Sequence, residues 1–158
     1  MCASSSAAVT VRTEVSNDSS RAWAIFFARV ILGLIFFMAG EWKVFTLTPA
    51  GHARRFFLPF QDTFLPTWSL WAAGTVIPFV ELIAGALVIA GLFTRPALIA
   101  LGFVLVIVTF GHLLHEPLYA FHEHVIPRLA LLLIVMLFPA EADRYSIDAF
   151  IRSKRRAR

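Results

Sequence analysis

Glu81 lies in the middle of the apolar run SLWAAGTVIPFVELIAGALVIAGLF. A charge near the centre of a bilayer costs about 2.5–3.5 kcal/mol on insertion scales, so such a residue needs a partner or a purpose. Pro78, three residues earlier, has no backbone N–H; it frees the carbonyl of Gly74 and kinks a helix there. Gly85, four residues later, is on the same helical face and admits a close neighbour. A carboxylate between a kink and a small residue faces protein rather than lipid. Two roles fit: half of a structural pair, with Arg128 or a histidine as the other half, or a proton-handling or ligand-binding group. Arg29 is a second deep charge, in the first apolar run, and Arg128 is a shallower one in the last.

The stretch MAGEWKVF adds Glu41 and Lys43 where the first apolar run ends. Two residues apart, they point about 200° away from each other on an α-helix and cannot bridge along one face. One is expected to face inward and the other to snorkel, with Trp42 in the aromatic belt at the membrane boundary. The third group is histidine: His112, His115, His122 and His124 fall within GHLLHEPLYAFHEH. His112 and His115 have the i, i+3 spacing at which a helix can share a borderline metal such as zinc. No HExxH signature accompanies them, and a polar loop of titratable residues accounts for the same pattern. Paired haem histidines would need His52 or a second deep histidine, and the sequence marks neither. There is no glycine-rich phosphate loop, dinucleotide fingerprint or nucleophile elbow, so a self-contained soluble-type active site is not expected.

Long helices must position these groups. The chain has 158 residues, of which 59% are hydrophobic, and 16 Phe and 4 Trp; mean hydropathy is +0.77. That apolar content exceeds the roughly 45–50% of a soluble domain and is gathered into runs. Four runs approach the roughly 20 residues a bilayer-spanning helix needs, at about 22–43, 69–93, 96–115 and 120–139. They lack the alternation of barrel strands, so the expected class is all-α: a polytopic four-helix membrane bundle. Pro96 opens the third helix and Pro139 closes the fourth. LFTRP between the second and third runs is a tight turn that makes those helices antiparallel neighbours.

With both termini in the cytoplasm, the inside holds Arg12, Arg21, Arg95, Arg144, Arg152, Lys154, Arg155, Arg156 and Arg158, and the outside only Lys43, Arg54 and Arg55. That positive-inside bias sets the expected orientation. Residues 1–20 lack an apolar core; they read as a disordered cytoplasmic tail rather than a cleavable signal. Residues 21–151 form the membrane domain and 152–158 a basic tail. The SKRRAR cluster behind the +4 net charge reads as a topology determinant that touches anionic lipid, not as a nucleic-acid site. Residues 44–67 read as an amphipathic segment lidding the outer mouth of the bundle. Cys2 is the only cysteine, which excludes an intramolecular disulfide and a thiolate-rich metal site.

RVILGLIFFMAGEWKVF, FVELIAGALVIAGLFTRPALIAL and the EADRYSIDAFI tail together resemble the DoxX family of small bacterial membrane proteins, over roughly residues 24–151. The most specific part is the series Glu81, Gly85, Gly91, Thr94-Arg95. Gly40-x-x-Lys43 and the Ser146-x-Asp148 segment also match, and the resemblance singles out Lys43 over Glu41. It implies a multi-pass protein of the bacterial inner membrane. Some DoxX-like proteins are subunits of a thiosulfate:quinone oxidoreductase, and others are linked to thiol-redox complexes. On that basis Glu81, Lys43, His112 and Arg128 are the candidates to bind or protonate a quinone head group, with Glu41, Trp42 and His115 as further contacts. The expected partners are the lipid bilayer, a redox partner subunit and further copies of the chain. The alternative is a non-enzymatic scaffold in which Glu81 only packs helices.

Overall fold

The computed structural model describes residues 3–115, 125–138 and 142–156. They form helices α1 (Ala3–Glu41), α2 (Pro49–His52), α3 (Thr67–Ala90), α4 (Thr94–His115), α5 (Ile126–Leu137) and α6 (Ile147–Arg156). Among the described residues there is no strand. Helix α1 runs on into a π-helical turn, Trp42–Thr46, and α2 into a second, Ala53–Phe57, followed by a 3₁₀ turn, Leu58–Phe60.

Three stretches are long and apolar enough to cross a membrane: Asp18–Thr46, Thr67–Ala90 and Thr94–Leu114. The fourth expected run is described as a helix only over the 12 residues Ile126–Leu137, about 18 Å; residues 120–124 lie outside the described residues. Residues 3–20 are part of the α1 helix. That stretch contains no Gly or Pro, and a helix already nucleated by a long apolar segment extends at little cost per residue.

The core is a seam of Leu32 and Phe36 from α1, Ala84 and Val88 from α3, Leu98 and Leu101 from α4, and Leu132 and Val135 from α5. Large apolar residues on the other faces point outward, among them Phe27, Phe103, Val106 and Leu137. A soluble domain would bury such a surface, and lipid covers it without cost. Helices α1 and α3 meet backbone to backbone. A Cβ at Gly40 would lie 2.4 Å from the amide nitrogen of Leu82, and one at Gly85 would lie 2.6 Å from that of Phe37. Small residues permit this approach, which replaces the missing hydrophobic drive between helices in lipid.

The α3–α4 turn closes with a Schellman pattern. The Leu92 amide donates to the Leu87 carbonyl at 3.0 Å and the Gly91 amide to Val88 at 3.2 Å, with Gly91 at φ +67°. A Cβ at Gly91 would also meet the Ser146 Cβ at 2.5 Å, so the position needs glycine twice over.

Candidate functional site

The site begins with the missing N–H of Pro78. The Gly74 carbonyl has no helical donor four residues on, and it is buried. His52 supplies the donor: its Nδ1 lies 2.6 Å from the Gly74 oxygen. A carbonyl only accepts, so Nδ1 carries the proton. Residues 49–57 fold back onto α3 because Gly74 leaves room for Ala53, whose Cα would sit 2.6 Å from a Cβ at 74. His52 is 4% exposed, with the rings of Phe56 and Phe57 tilted against its own at 5.3 and 5.4 Å between centroids. Burial pushes the imidazole below its ordinary pKa, and the nearby Lys43 charge pushes the same way, against the bond to Gly74. His52 is therefore neutral near pH 7, and its second nitrogen is an acceptor.

Glu81, one turn beyond Pro78, meets Lys43. The Lys43 Nζ donates to Glu81 Oε2 at 2.5 Å, with side-chain exposures of 19% and 5%. Gly40 brings the α1 backbone against Glu81 and Leu82, and Lys43, three residues later in the π-helical turn, reaches across. The Gly40-x-x-Lys43 spacing is thus a notch followed by a hook. The partner suggested for Glu81 was Arg128 or a histidine, and the ion pair corrects that to Lys43. Arg128 still contributes a second positive charge to the field at Glu81, with its guanidinium 5.9 Å over the Phe36 ring.

Of the remaining candidates, Glu41 is half-buried and Trp42 is exposed at the boundary. His112 is exposed near the end of α4, and the charges acting on Glu81 are Lys43 and Arg128. His115 closes α4, while His122 and His124 lie outside the described residues. Among the described residues no group of three His, Cys, Asp or Glu side chains could hold a metal.

A second buried charge cluster sits at the opposite end of α3. Arg29, 1% exposed, donates through one terminal nitrogen to the Val88 and Ile89 carbonyls at 2.6 and 2.5 Å, and through the other to Tyr145 at 2.9 Å. These are carbonyls of a helix's last turn and of a loop, which a five-donor guanidinium suits. Its Nε faces Asp143 Oδ2 at 3.2 Å. Burial pushes the Asp143 carboxyl up from its ordinary value, against the pull of Arg29 and Arg152.

Asp148 then caps α4, accepting from the Phe93 and Thr94 amides at 3.2 Å each. Ser146 caps α6, accepting from the Ala149 amide at 3.1 Å. The Ser146-x-Asp148 segment is thus a double cap that ties the end of the chain to the α3–α4 turn. Sequence reasoning missed His52 and Asp143 as buried partners. Only the Pro78–Gly74 relation signalled that a donor was needed.

The fold and these buried charges define a helical, membrane-embedded protein with an ion pair across its central helices. The chain belongs to the DoxX family, which residues 24–114 match. No curated protein and no solved structure matched it in comparison.

Proposed function

We propose that this DoxX-family protein is an integral subunit of a redox complex in the bacterial inner membrane, with both termini cytoplasmic. In this reading residues 21–151 form a four-helix bundle, residues 44–67 lid its outer mouth, and the outer half presents Lys43 and Glu81 to a quinone head group. The redox assignment comes from the family. The observation that carries the site is the Lys43–Glu81 pair, 2.5 Å apart with the carboxylate 5% exposed.

Burying two charges costs more than their attraction returns unless their remaining hydrogen bonds are met. At Arg29 four bonds and contacts are used. Among the described residues Lys43 has one acceptor, Glu81, and an ammonium carries three donors. The unused donors suit a quinone carbonyl, and the carboxylate suits the proton exchanged when quinone becomes quinol. His52, neutral and beside Lys43, and Arg128 set the local field. Electrons come from a thiosulfate or thiol donor handled by a partner subunit; this chain supplies binding and a proton.

The test is quinone-analogue binding and donor-dependent quinone reduction by the complex purified from membranes. Glu81→Gln, which keeps size and hydrogen bonding but not charge, is expected to abolish reduction while the complex stays assembled. Purified complex that neither binds the analogue nor reduces quinone with either donor class would refute the reading.

One observation favours the scaffold reading. Gly33, Gly40 and Gly85 bring α1 and α3 into backbone contact, so the ion pair also locks a helix seam. A scaffold predicts that the double variant Lys43→Met/Glu81→Leu keeps function wherever it folds, and that a partner protein co-purifies with it.

A further inference from the structure

Helix α6 is built the wrong way round for water. Ile147, Phe150 and Ile151, spaced i, i+3, i+4 on one helical face, are exposed at 43%, 60% and 38%. The charged residues Asp148 and Arg152 are the half-buried ones. A helix on a water-facing surface shows the opposite pattern, with its apolar stripe inward and its charges outward. Nor is α6 free to turn that face away. The Asp148 amide donates to the Gly91 carbonyl at 3.0 Å, its carboxylate accepts from the Phe93 and Thr94 amides, and the Arg152 charge acts on Asp143. These attachments fix α6 against the α3–α4 turn with its apolar face outward.

Two further observations say what covers it. The first is the level at which α6 lies. The spans Thr67–Ala90 and Thr94–Leu114 meet at the turn to which it is tied, where hydrocarbon gives way to head groups. Tyr145, just before α6, has its ring 4.6 Å from Trp23 and 5.9 Å from Phe26, and Trp23, Phe27 and Tyr145 are all exposed. Such an aromatic cluster marks a membrane boundary. The second is charge. Lys154 and Arg155 are exposed, and residues 149–158, AFIRSKRRAR, contain no acid. The Lys154 Nζ lies 4.6 Å over the Phe150 ring, so the lysine stem runs along the apolar face and its ammonium sits at the edge.

We propose that α6 is an interfacial helix that lies in the plane of an anionic lipid leaflet. Ile147, Phe150 and Ile151 bed among the upper acyl chains, and Lys154 and Arg155 lie among the phosphates. A helix with one apolar face and basic neighbours binds such a surface through both terms, buried apolar area and attraction to anionic head groups. At ten residues, or about 15 Å, it is too short to cross the bilayer. Because α6 also caps α4 and holds Gly91, its bedding pins the α3–α4 turn to the membrane surface.

The experiment uses the full chain with Cys2→Ser, so that a single introduced cysteine carries a nitroxide label, reconstituted alone into vesicles. Ile151→Cys and Ser153→Cys label two exposed positions about 200° apart on the helix. Ile147→Cys repeats the first reading one turn earlier. Power saturation reads collisions with oxygen, which concentrates in hydrocarbon, and with a water-soluble nickel chelate. In vesicles of equal parts phosphatidylglycerol and phosphatidylcholine, the oxygen-to-nickel ratio is expected to be severalfold higher at positions 147 and 151 than at 153. In phosphatidylcholine alone the ratio at 151 is expected to fall, and Lys154→Gln/Arg155→Gln to remove the difference between the two vesicle types. Equal ratios at 147, 151 and 153 would overturn the proposal and leave the face to a partner protein. Line broadening at 151 that disappears on dilution with unlabelled chain would overturn lipid in favour of a second copy. A ratio at 151 that is the same in both vesicle types would strike out the anionic leaflet.

Discussion

The bond from His52 to the Gly74 carbonyl exists because Pro78 has no N–H, and that dependence can be tested as a thermodynamic cycle. His52→Leu keeps about the same volume and removes the donor. Both His52 and Gly74 are buried, so water cannot substitute and the carbonyl is orphaned, at about 1–3 kcal/mol. Pro78→Ala restores an amide four residues after Gly74, which satisfies the same carbonyl within α3. In that background His52→Leu should cost no more than the repacking of one side chain, under about 1.5 kcal/mol and toward the low end because the volume is conserved. The expected coupling between the two substitutions is about 1–2 kcal/mol. Equilibrium unfolding in mixed detergent micelles, followed by far-ultraviolet circular dichroism, measures all four corners. Additivity within about 0.5 kcal/mol, the behaviour of independent sites, would refute the reasoning.

Acidification tests the same residue differently. Because burial lowers the His52 pKa in the folded protein, its stabilisation is complete above the unfolded value of about 6.5 and is lost as pH falls through the folded value. Wild type should lose stability below pH 6.5 by at most about 1.4 kcal/mol per pH unit from this group, and His52→Leu should lack that component. Lys43→Met leaves the 5%-exposed Glu81 carboxylate without its cation and should cost about 3–5 kcal/mol, most of it recovered in Lys43→Met/Glu81→Leu. Denaturation midpoints that move by less than the equivalent of about 1 kcal/mol in the single variant would show that the pair is not desolvated. Asp148→Ala removes the α4 cap and the bond holding Phe93 at φ +48°; a loss of about 1–2 kcal/mol is expected, partly restored by Asp148→Asn.

Several features were legible before any fold was known because they are local. Long apolar runs without strand alternation can only be helices in lipid. A proline inside such a run names the carbonyl it frees, and Gly74 is the one that His52 finds. Helical angles separate Glu41 from Lys43, and in the structure Lys43 makes the inward ion pair. The Gly85 spacing announced a close helix neighbour, which proved to be α1 at Phe37.

Partners were a different matter. Glu81 and Lys43 are 38 residues apart, Gly74 and His52 are 22 apart, and Arg29 reaches Tyr145 across 116. No periodicity carries such a pairing. It depends on where α1 seats against α3, which the contacts at Gly33, Gly40 and Gly85 decide by how closely two backbones can approach. It depends also on how residues 49–57 fold back onto the Gly74 notch. Sequence alone determined that buried charges and a freed carbonyl had to be answered. Only the tertiary structure decided which residue answered each, because desolvated polar groups demand a partner but do not specify its place in the chain.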